Sequence, residues 1–362
     1  MSITLDADFP GGNIIVESVD GDVVTLRQDR RDTPVWWFYW AFRARGMGGR
    51  TLTFAFTDGD VFAALGPCYS ADGETWRWLG RGRVAETRFT HSFPRWQEAA
   101  YFAFCIPYTH RQLRAFLAAN PAVERGVLCT SEGGRAVERL SLPSATGTRT
   151  VVLTARHHAC ETMANYVLEG ILAFRQADEP DAAFLREHVD LHAIPFMDVD
   201  GVERGDQGKS RAPHDHNRDY TDAPRYAAVR ALTAWAPAWR GDFPLMLDLH
   251  CPWIRAWRNE DVLLVEPDGV DRAAQDRFRA LLHGAQTGPV RYDRRHLLRY
   301  GEDWNTAGET STQYFRHTLG AGAVFTVEFP YATATGVAVS AENARRFGYD
   351  LGRVIGRYVM GG

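Results

Sequence analysis

Four segments of nearly continuous apolar residues limit the fold of this chain most strongly. They are TVVLTA (150–155), VDLHAIPF (189–196), FPLMLDLH (243–250) and AVFTVEF (323–329). Such runs are typical of strands that are buried on both faces of a sheet. Amphipathic helical patterns, with apolar residues three and four positions apart, follow them at 161–174, 224–235, 271–282 and 342–359. The sequence therefore predicts an α/β domain with a parallel or mixed sheet over residues 121–362.

The first 120 residues carry a different pattern. Short alternating runs, such as those at 13–27 and 51–59, are interrupted by the turn-forming pairs Asp20-Gly21 and Asp58-Gly59. Aromatic residues crowd into PVWWFYWAFRA (34–44), where large rings can fill the space between two sheets. We therefore predict an all-β sandwich domain over residues 1–120, which a short helix at 107–120 connects to the α/β domain.

Composition limits the classes of partner. Hydrophobic residues make up 45% of the chain and charged residues 24%, which is normal for a globular protein, and the formal net charge is −4. This balance argues against a nucleic-acid or anionic-membrane binder and favours a peptide or small molecule. No leader-like segment, membrane-length apolar window or CxxC pair is present, so we expect a cytoplasmic protein without disulfides. The oligomeric state stays open.

Three residues have the types and positions of metal ligands. His158 and Glu161 stand at i and i+3 where a helix begins, directly after a buried strand, and His250 ends another buried strand. Two histidines and one glutamate are a ligand set of catalytic zinc, with a fourth position left for water. HxxE alone is more often a solvated pair, so the hypothesis depends on the combination with His250.

Further polar residues strengthen the hypothesis of an active site. Glu328 lies inside an apolar strand, where a carboxylate is costly unless it has a function. Asn217 and Arg218 lie in the long polar loop GDQGKSRAPHDHNRDY (205–220). Such loops in α/β domains often carry function.

These motifs resemble those of the zinc carboxypeptidases, and in particular their cytosolic-carboxypeptidase-like branch. The metal motif HPGE is read here as His-Ala-Cys-Glu (158–161), and Asp-Leu-His (248–250) resembles the segment of the third ligand. The NPDG turn is read as Asp-Val-Asp-Gly (198–201), and the DxNR element is matched at 215–218. The segments at 36–44 and 101–113 resemble those that precede the catalytic domain in this branch.

The resemblance implies a mixed, eight-stranded α/β/α carboxypeptidase domain that binds one Zn²⁺ and hydrolyses the C-terminal peptide bond of peptides or proteins. Glu328 would be the general base, and Asn217 and Arg218 would bind the substrate carboxylate. Arg211 is the candidate for stabilising the oxyanion, with Arg204 as its competitor. Two further candidates are Asp215, which would support the first histidine unless it only caps a helix, and Tyr314, for which core packing is an equal alternative.

The substrate and two rival functions stay open at this point. Four arginines between His250 and Glu328 could select an acidic C-terminal residue; they are Arg291, Arg294, Arg295 and Arg299. One rival is a zinc deacylase that acts on N-acyl amino acids, which the N-terminal sandwich disfavours. The other is a non-catalytic protein that binds C-terminal tails, which the complete ligand set disfavours.

Overall fold

The computed structural model of the chain describes residues 3–239, 242–254 and 259–361. Its N-terminal part is built of short strands, and the strands form two five-stranded sheets with the orders β1-β4-β10-β6-β7 and β2-β3-β5-β9-β8. The strands are β1 (Thr4–Asp6), β2 (Ile15–Asp20), β3 (Val23–Arg27), β4 (Ala41–Arg45), β5 (Thr51–Phe56), β6 (Cys68–Ser70), β7 (Arg77–Trp78), β8 (Val84–Ala85), β9 (Arg88–Ser92) and β10 (Ala99–Ala103).

Aromatic rings fill the space between these two sheets. Phe42 of β4 and Phe102 of β10 belong to one sheet, and Phe54 of β5 and Phe89 of β9 belong to the other. The ring centroids of Phe42 and Phe54 are 5.3 Å apart, and those of Phe54 and Phe102 are 5.1 Å apart. The rings therefore contact each other across the interface, so the predicted role of the aromatic residues in sandwich packing agrees with the structure.

A mixed eight-stranded sheet forms the second part, in the order β11-β12-β14-β13-β15-β18-β16-β17. Its central strands β14, β13, β15 and β18 are parallel, whereas β12 and β16 pair antiparallel with the neighbours β14 and β18. The strands are β11 (Glu124–Thr130), β12 (Ala136–Leu142), β13 (Arg149–Ala155), β14 (Val189–Ile194), β15 (Asp242–His250), β16 (Val262–Val265), β17 (Tyr292–Leu298) and β18 (Ala323–Glu328). A small hairpin follows, with β19 (Thr333–Ala334) and β20 (Val337–Ala338).

Eight α-helices of the described residues accompany the sheets. They are α1 (His110–Ala119), α2 (Met163–Phe174), α3 (Pro180–His188), α4 (Val199–Arg204), α5 (Ala227–Trp235), α6 (Arg272–Ala285), α7 (Ser311–His317) and α8 (Ala341–Met360). Helices α2 and α8 approach closely at Gly170 and Gly348. A Cβ atom on Gly348 would lie 2.0 Å from the carbonyl oxygen of Val167, so only glycine permits this contact. Three 3-10 turns occur at Arg81–Arg83, His216–Arg218 and Ala236–Ala238.

The predicted fold class is confirmed, and the four apolar runs are the four parallel central strands. The expected turn at 198–201 is instead the start of α4, where the carboxylate of Asp198 accepts a hydrogen bond of 2.9 Å from the backbone nitrogen of Gly201. Most buried apolar residues of both parts form one continuous cluster, and Leu263, Val265 and Leu298 form a second, small one. A domain boundary at residue 120 therefore stays a proposal. No helix of the described residues is long and apolar enough to cross a membrane.

Candidate active site

Three strand ends bring the candidate residues to one edge of the large sheet. Strand β13 ends immediately before the turn that contains His158 and Glu161, β15 ends at His250, and β18 ends at Glu328. Strands β15 and β18 are parallel, and His250 and Glu328 are register partners. The carboxyl ends of parallel strands are where α/β sheets place their ligand crevice.

A buried arginine fixes the turn that follows β13. Arg156 has a φ of 60°, a left-handed conformation that is uncommon for residues other than glycine. Its Nε donates a hydrogen bond of 3.0 Å to the carbonyl oxygen of Ala159, and its Nη1 donates one of 2.9 Å to Oδ1 of Asn165. These contacts hold the turn from both of its ends, so His158 and Glu161 have a defined orientation.

The side chains of His158, Glu161 and His250 converge. The Nδ1 atom of His158 lies 3.0 Å from Oε1 of Glu161, and Nδ1 of His250 lies 2.7 Å from Oε2 of Glu161. The two Nδ1 atoms are 3.1 Å apart. All three side chains are buried, and their donor atoms are the nitrogen and oxygen types that bind catalytic zinc. The residues present therefore fit the metal that the resemblance implies.

A carboxylate holds the other ring nitrogen of each histidine. The Nε2 atom of His158 is 3.2 Å from Oδ1 of Asp215, and Nε2 of His250 is 2.9 Å from Oδ2 of Asp248. Carboxylates in this position fix the orientation of metal-binding imidazoles. Burial acts to raise the pKa of both carboxyl groups. His158, Arg218 and Lys209 together outweigh this at Asp215, and His157 and His250 together outweigh it at Asp248, so both pKa values are lowered.

Asp248 is also the centre of a larger network. Its Oδ1 is 2.9 Å from Nδ1 of His157 and accepts a hydrogen bond of 2.8 Å from Thr154, and its Oδ2 accepts one from Ser311. Nε2 of His157 is 2.7 Å from the hydroxyl of Tyr220. Both ring nitrogens of His157 are therefore engaged, which leaves this histidine as a support for Asp248.

Asn217 and Arg218 both line the cleft next to the metal-binding group, but they differ in how free they are. The amide of Asn217 is engaged, because Nδ2 is 3.3 Å from Oδ2 of Asp248 and Oδ1 accepts a hydrogen bond of 3.0 Å from the backbone nitrogen of Ser311. Arg218 donates one hydrogen bond, 2.7 Å from Nη1 to the carbonyl oxygen of Asn217. Its other nitrogens have no partner among the described residues, so Arg218 is the freer donor for a substrate carboxylate.

Glu328 is 3% exposed and lines the same cleft. Its Oε2 atom has no hydrogen-bond partner among the described residues, although a buried polar atom without a partner is costly. Burial raises the pKa of this carboxyl group, the negative charge of Glu161 raises it further, and Lys209 opposes both. A buried, unpartnered carboxylate beside a metal-binding group is the arrangement that a general base requires.

The cleft around these groups is narrow, with a volume of about 40 Å³. Apart from the residues already described, its wall consists mainly of neutral polar and apolar side chains. The lining residues outside the metal-binding group are Lys209, Asn217, Arg218, Val265, Glu266, Pro267, Trp304, Asn305, Ala307, Thr310, Thr312, Gln313, Thr326 and Glu328. Within the wall, Glu266 is paired with Arg272 at 2.5 Å.

Four of the expected site residues do not line the cleft: Glu161 and Asp215, which contact the ring nitrogens of His158, and Arg211 and Tyr314, which lie elsewhere. Arg211 is bound by carboxylates elsewhere: it contacts Asp198, its Nη1 is 3.0 Å from Oδ2 of Asp206, and its Nη2 is 3.7 Å from Asp32. The structure therefore does not support its expected role at an oxyanion. The hydroxyl of Tyr314 donates a hydrogen bond of 3.1 Å to the carbonyl oxygen of Thr233 on α5.

The competing arginine and the four arginines expected near the side-chain pocket also lie away from the lining. Arg204 is exposed at the end of α4. The side chain of Arg295 is 84% exposed and paired with Asp293 at 2.7 Å. Arg291, Arg294 and Arg299 do not line the cleft either. These arginines therefore do not provide the cation on which the expected preference for acidic C-terminal residues was based.

Lys209 is the functional candidate that sequence reasoning missed. It lines the cleft, and its Nζ atom is 3.2 Å from Oε1 of Glu161. The sequence contained a signal for it: of the 41 basic residues Lys and Arg, Lys209 is the only lysine. Asp248, Ser311 and Thr312 were also not proposed as site residues, because their positions depend on how β15 and α7 meet.

A larger surface groove lies between α1, α2 and α8 and has an apolar floor that includes Phe116 and Ala173. Its buried carboxylate, Glu169, is paired with Arg345 at 2.6 Å and accepts a hydrogen bond of 2.8 Å from Tyr108. No metal-type cluster of the described residues lies there. Size alone therefore does not identify the site, and the chemistry favours the smaller cleft.

Comparison with known proteins agrees with this assignment. Residues 109–244 match the family model described as Peptidase_M14, zinc carboxypeptidase. An uncharacterised protein of Zymomonas mobilis is 31% identical over 238 residues, which cover 61% of this chain and 60% of that protein. Cytosolic carboxypeptidase 2 of Danio rerio is 32% identical over 239 residues, which cover 54% of this chain and 33% of that protein. The chain thus spans less than two thirds of the length of these relatives.

Solved structures share the whole fold. A metallo-carboxypeptidase from Burkholderia cenocepacia has a TM-score of 0.82 and 20% identity, with 100% of both chains covered. A metallo-carboxypeptidase from Pseudomonas aeruginosa, in complex with (2-guanidinoethylmercapto)succinic acid, has a TM-score of 0.83 and 20% identity, with 99% of both chains covered. The resemblance stated from the motifs is confirmed to this extent: residues 109–244 match the zinc carboxypeptidase model, and cytosolic carboxypeptidases are among the relatives.

Proposed function

We propose that this protein is a zinc metallocarboxypeptidase that hydrolyses the C-terminal peptide bond of peptides or proteins. The observation that carries the proposal is the convergence of three groups in one cleft. These are the donor atoms of His158, Glu161 and His250, the unpartnered carboxylate of Glu328, and the free guanidinium nitrogens of Arg218. The family match supports the same activity.

Each residue has a defined part in the proposed reaction. One zinc ion per chain, held by His158, Glu161 and His250, supplies Lewis acidity toward the scissile carbonyl and toward water when it is bound. Glu328 accepts the proton of the attacking water and later donates it to the departing amine. Arg218 binds the terminal carboxylate, for which a planar guanidinium is suited, and thereby restricts hydrolysis to the last peptide bond.

Asn217 has a double part in this proposal. Its amide is held by Asp248 and Ser311, so it positions the third metal ligand and the start of α7. It still lines the cleft beside Arg218 and can contribute to binding of the substrate carboxylate. Asp215 and Asp248 hold the two imidazoles in the orientation that presents Nδ1 to the metal.

The test compares wild-type protein with Glu328→Gln, using Glu124→Gln as a matched control for an exposed glutamate on β11. Peptides with a free C-terminus and the same peptides with an amidated C-terminus are the substrates. We expect release of single C-terminal amino acids only from free peptides, a loss of kcat of at least about 100-fold in Glu328→Gln, and full activity in Glu124→Gln. Equal cleavage of amidated peptides would contradict the assignment of Arg218.

The preference for the C-terminal side chain is the finer part of the proposal. Among the described residues that line the cleft, the lysine and arginine cations are Lys209 and Arg218, and the wall carries the hydroxyls of Thr312 and Thr326 and the amide of Gln313. These neutral groups can hydrogen-bond to an amide, a hydroxyl or a carboxylate. A true acidic preference requires faster release of Glu than of Gln, whereas the neutral wall favours Gln at least equally, and matched peptides ending in Glu, Gln, Leu and Lys distinguish the two.

We further propose that the substrate is reached in the cytoplasm and that neither nucleic acid nor a membrane is a partner. The names of the cytosolic carboxypeptidases among the relatives support the compartment. The net charge of −4 supports the absence of nucleic-acid binding. Fractionation of cells that express the tagged protein tests the compartment, and recovery in the membrane fraction would contradict it.

A further inference from the structure

The loop that carries Lys209 packs directly on the turn that carries the metal ligands. Gly208 has a φ of 82°, and a Cβ atom at this position would lie 2.1 Å from the backbone nitrogen of Ala159. The backbone nitrogen of Cys160 donates a hydrogen bond of 3.1 Å to the carbonyl oxygen of Gln207. Glycine at 208 therefore permits a close approach that places Lys209 beside Glu161.

The N-terminal sandwich region holds the same loop from its other side. The carboxylate of Asp32 accepts hydrogen bonds from the backbone nitrogens of Gln207, at 3.0 Å, and Gly208, at 2.8 Å. The side-chain amide of Gln207 bonds to both the backbone nitrogen and the carbonyl oxygen of Tyr39, each at 2.8 Å. Residues 207 and 208 are thus clamped between two parts of the molecule, which limits where the stem of Lys209 begins.

The ammonium group ends inside the cleft. Its Nζ atom is 3.2 Å from Oε1 of Glu161, and the side chain is 22% exposed. Trp37, from the N-terminal part, lies on the other side of the ammonium, with its ring centroid 5.9 Å away. The other two cations of this region have different tasks, because Arg211 is bound by three carboxylates and Arg218 is the proposed ligand of the substrate carboxylate.

We propose that Lys209 is a catalytic residue that donates a hydrogen bond to the oxyanion formed from the scissile carbonyl, a step that rests on the proposed carboxypeptidase function. As water attacks, its oxygen bonds to the carbonyl carbon, the carbonyl π pair moves onto the carbonyl oxygen, and Glu328 takes the water proton. The carbon–nitrogen bond then breaks, the carbonyl re-forms, and the amine takes the proton from Glu328. Lys209 stays protonated throughout. A compact ammonium with three rotatable donors on a flexible stem suits a charge that exists only transiently.

The first test uses Lys209→Met, Lys209→Arg and the control Arg88→Met, which removes an exposed cation from β9. The readouts are zinc content, kcat, KM, and the calorimetric affinities for a dipeptide phosphinate and for the released amino acid. We expect Lys209→Met to keep its zinc content and its affinity for the released amino acid. Its kcat and its affinity for the phosphinate should both fall by about 100-fold to 1,000-fold, which is the usual effect of removing one oxyanion donor. Lys209→Arg should have a kcat at least about tenfold higher than that of Lys209→Met.

Each other outcome overturns a specific claim. Unchanged kcat in Lys209→Met, or a parallel loss of zinc and product affinity, would reject the oxyanion role and leave the carboxypeptidase function standing. Wild-type protein that binds zinc but releases no amino acid from any peptide would reject the carboxypeptidase function, and the oxyanion role with it.

A second test uses the fact that Lys209 is the only lysine. Acetylation with an N-hydroxysuccinimide ester can modify no other ε-amine, and mass spectrometry distinguishes it from the α-amine. We expect activity to fall in proportion to acetylation at Lys209. The bound phosphinate should protect the protein against acetylation of Lys209 and against the loss of activity, and the activity of Lys209→Arg should not change with the reagent. Full activity of protein that is acetylated at Lys209 would overturn the proposal.

Discussion

At the scale of single residues, the metal-binding group depends on carboxylates that do not themselves face the metal position. Asp248 receives contacts from His157, His250, Thr154, Ser311 and Asn217. A carboxylate with this many donors is held rigidly, and it transmits that rigidity to the ring of His250.

The substitution Asp248→Asn tests this support. An amide keeps the size of the side chain but replaces one acceptor oxygen by a donor, so the hydrogen bonds to His250 and Ser311 cannot all persist. We expect zinc affinity to fall by about 10-fold to 100-fold, measured by competition with a chromogenic chelator. The exposed substitution Asp22→Asn serves as the control and should leave the affinity unchanged. Unaltered zinc affinity in Asp248→Asn would show that His250 is oriented without this carboxylate.

The difference between Lys209 and Arg211 shows what residue-level sequence reasoning cannot decide. Both are basic residues in one polar loop, and the resemblance favoured the arginine. Only the structure separates them, because the loop direction depends on the contact of Gly208 with Ala159 and on the bonds from Asp32, which are remote in sequence. His158, Glu161, His250 and Glu328 could be proposed from the sequence because strand ends are visible in the apolar pattern, and the structure brings the first three together.

At the scale of elements, the loop that contains Gly208 requires glycine for two reasons, its left-handed backbone conformation and the lack of space for a side chain. Gly134, in the turn between β11 and β12, has a φ of 78°, close to the 82° of Gly208, but a Cβ atom there would meet nothing within 4 Å. Gly134→Ala should therefore lower the free energy of unfolding by about 1–2 kcal/mol, because alanine disfavours the left-handed conformation there.

Alanine at 208 adds a steric conflict with the turn that carries His158. We expect a larger loss of stability than in Gly134→Ala, together with reduced kcat, measured by urea unfolding and by peptide hydrolysis. If the two alanine variants lost equal stability and both kept full kcat, the packing of the loop on the metal-binding turn would be irrelevant to function.

Strand β14 carries a pH-dependent element. His192 is packed between Trp235 and Trp239, and burial lowers its pKa from 6.5 to about 4. The unfolded chain binds a proton on this histidine below about pH 6.5, whereas the folded chain does not bind it until about pH 4. The stability associated with neutral His192 is therefore complete above pH 6.5 and is lost as the pH falls toward 4.

Urea unfolding at pH 7 and pH 5 tests this element. We expect the loss of stability between the two pH values to be smaller in His192→Gln than in the wild type. The exposed variant His283→Gln, on α6, should behave as the wild type. A pH dependence in His192→Gln that equals that of the wild type would exclude His192 as its source.

Helices and strands could be predicted from the sequence where their apolar residues recur at regular spacing or form continuous runs. The long helices α2, α6 and α8 and the central strands were found in this way. The short helices α4 and α7 were not, because their limits depend on caps such as Asp198 and Thr310, and α7 is placed by the bond from Ser311 to Asn217. The part of the cleft wall near α7 could therefore not be predicted from the sequence.

At the scale of the whole molecule, the N-terminal sandwich is part of the active site's support. Asp32 connects it to the Lys209 loop, and the indole nitrogen of Trp37 lies 3.3 Å from the sulfur of Cys160, next in sequence to the proposed metal ligand Glu161. One hydrophobic cluster spans both parts of the molecule.

Asp32→Asn tests the dependence of catalysis on this connection. An amide can accept with only one atom, so one of the two backbone bonds to Gln207 and Gly208 is lost. We expect kcat to fall by about tenfold, which corresponds to about 1.4 kcal/mol, while zinc content stays constant. Unchanged kcat would show that the sandwich does not position Lys209.

We propose that one zinc ion at the site of His158, Glu161 and His250 makes the protein a carboxypeptidase. The most direct measurement is a zinc titration of chelator-treated protein, in which metal binding and release of C-terminal amino acids are followed together. We expect release to rise linearly and to stop rising at one zinc per chain, and we expect His250→Ala to show neither the binding nor the release. Hydrolysis that persists without zinc, or stoichiometric binding that restores no release from any peptide, would contradict it.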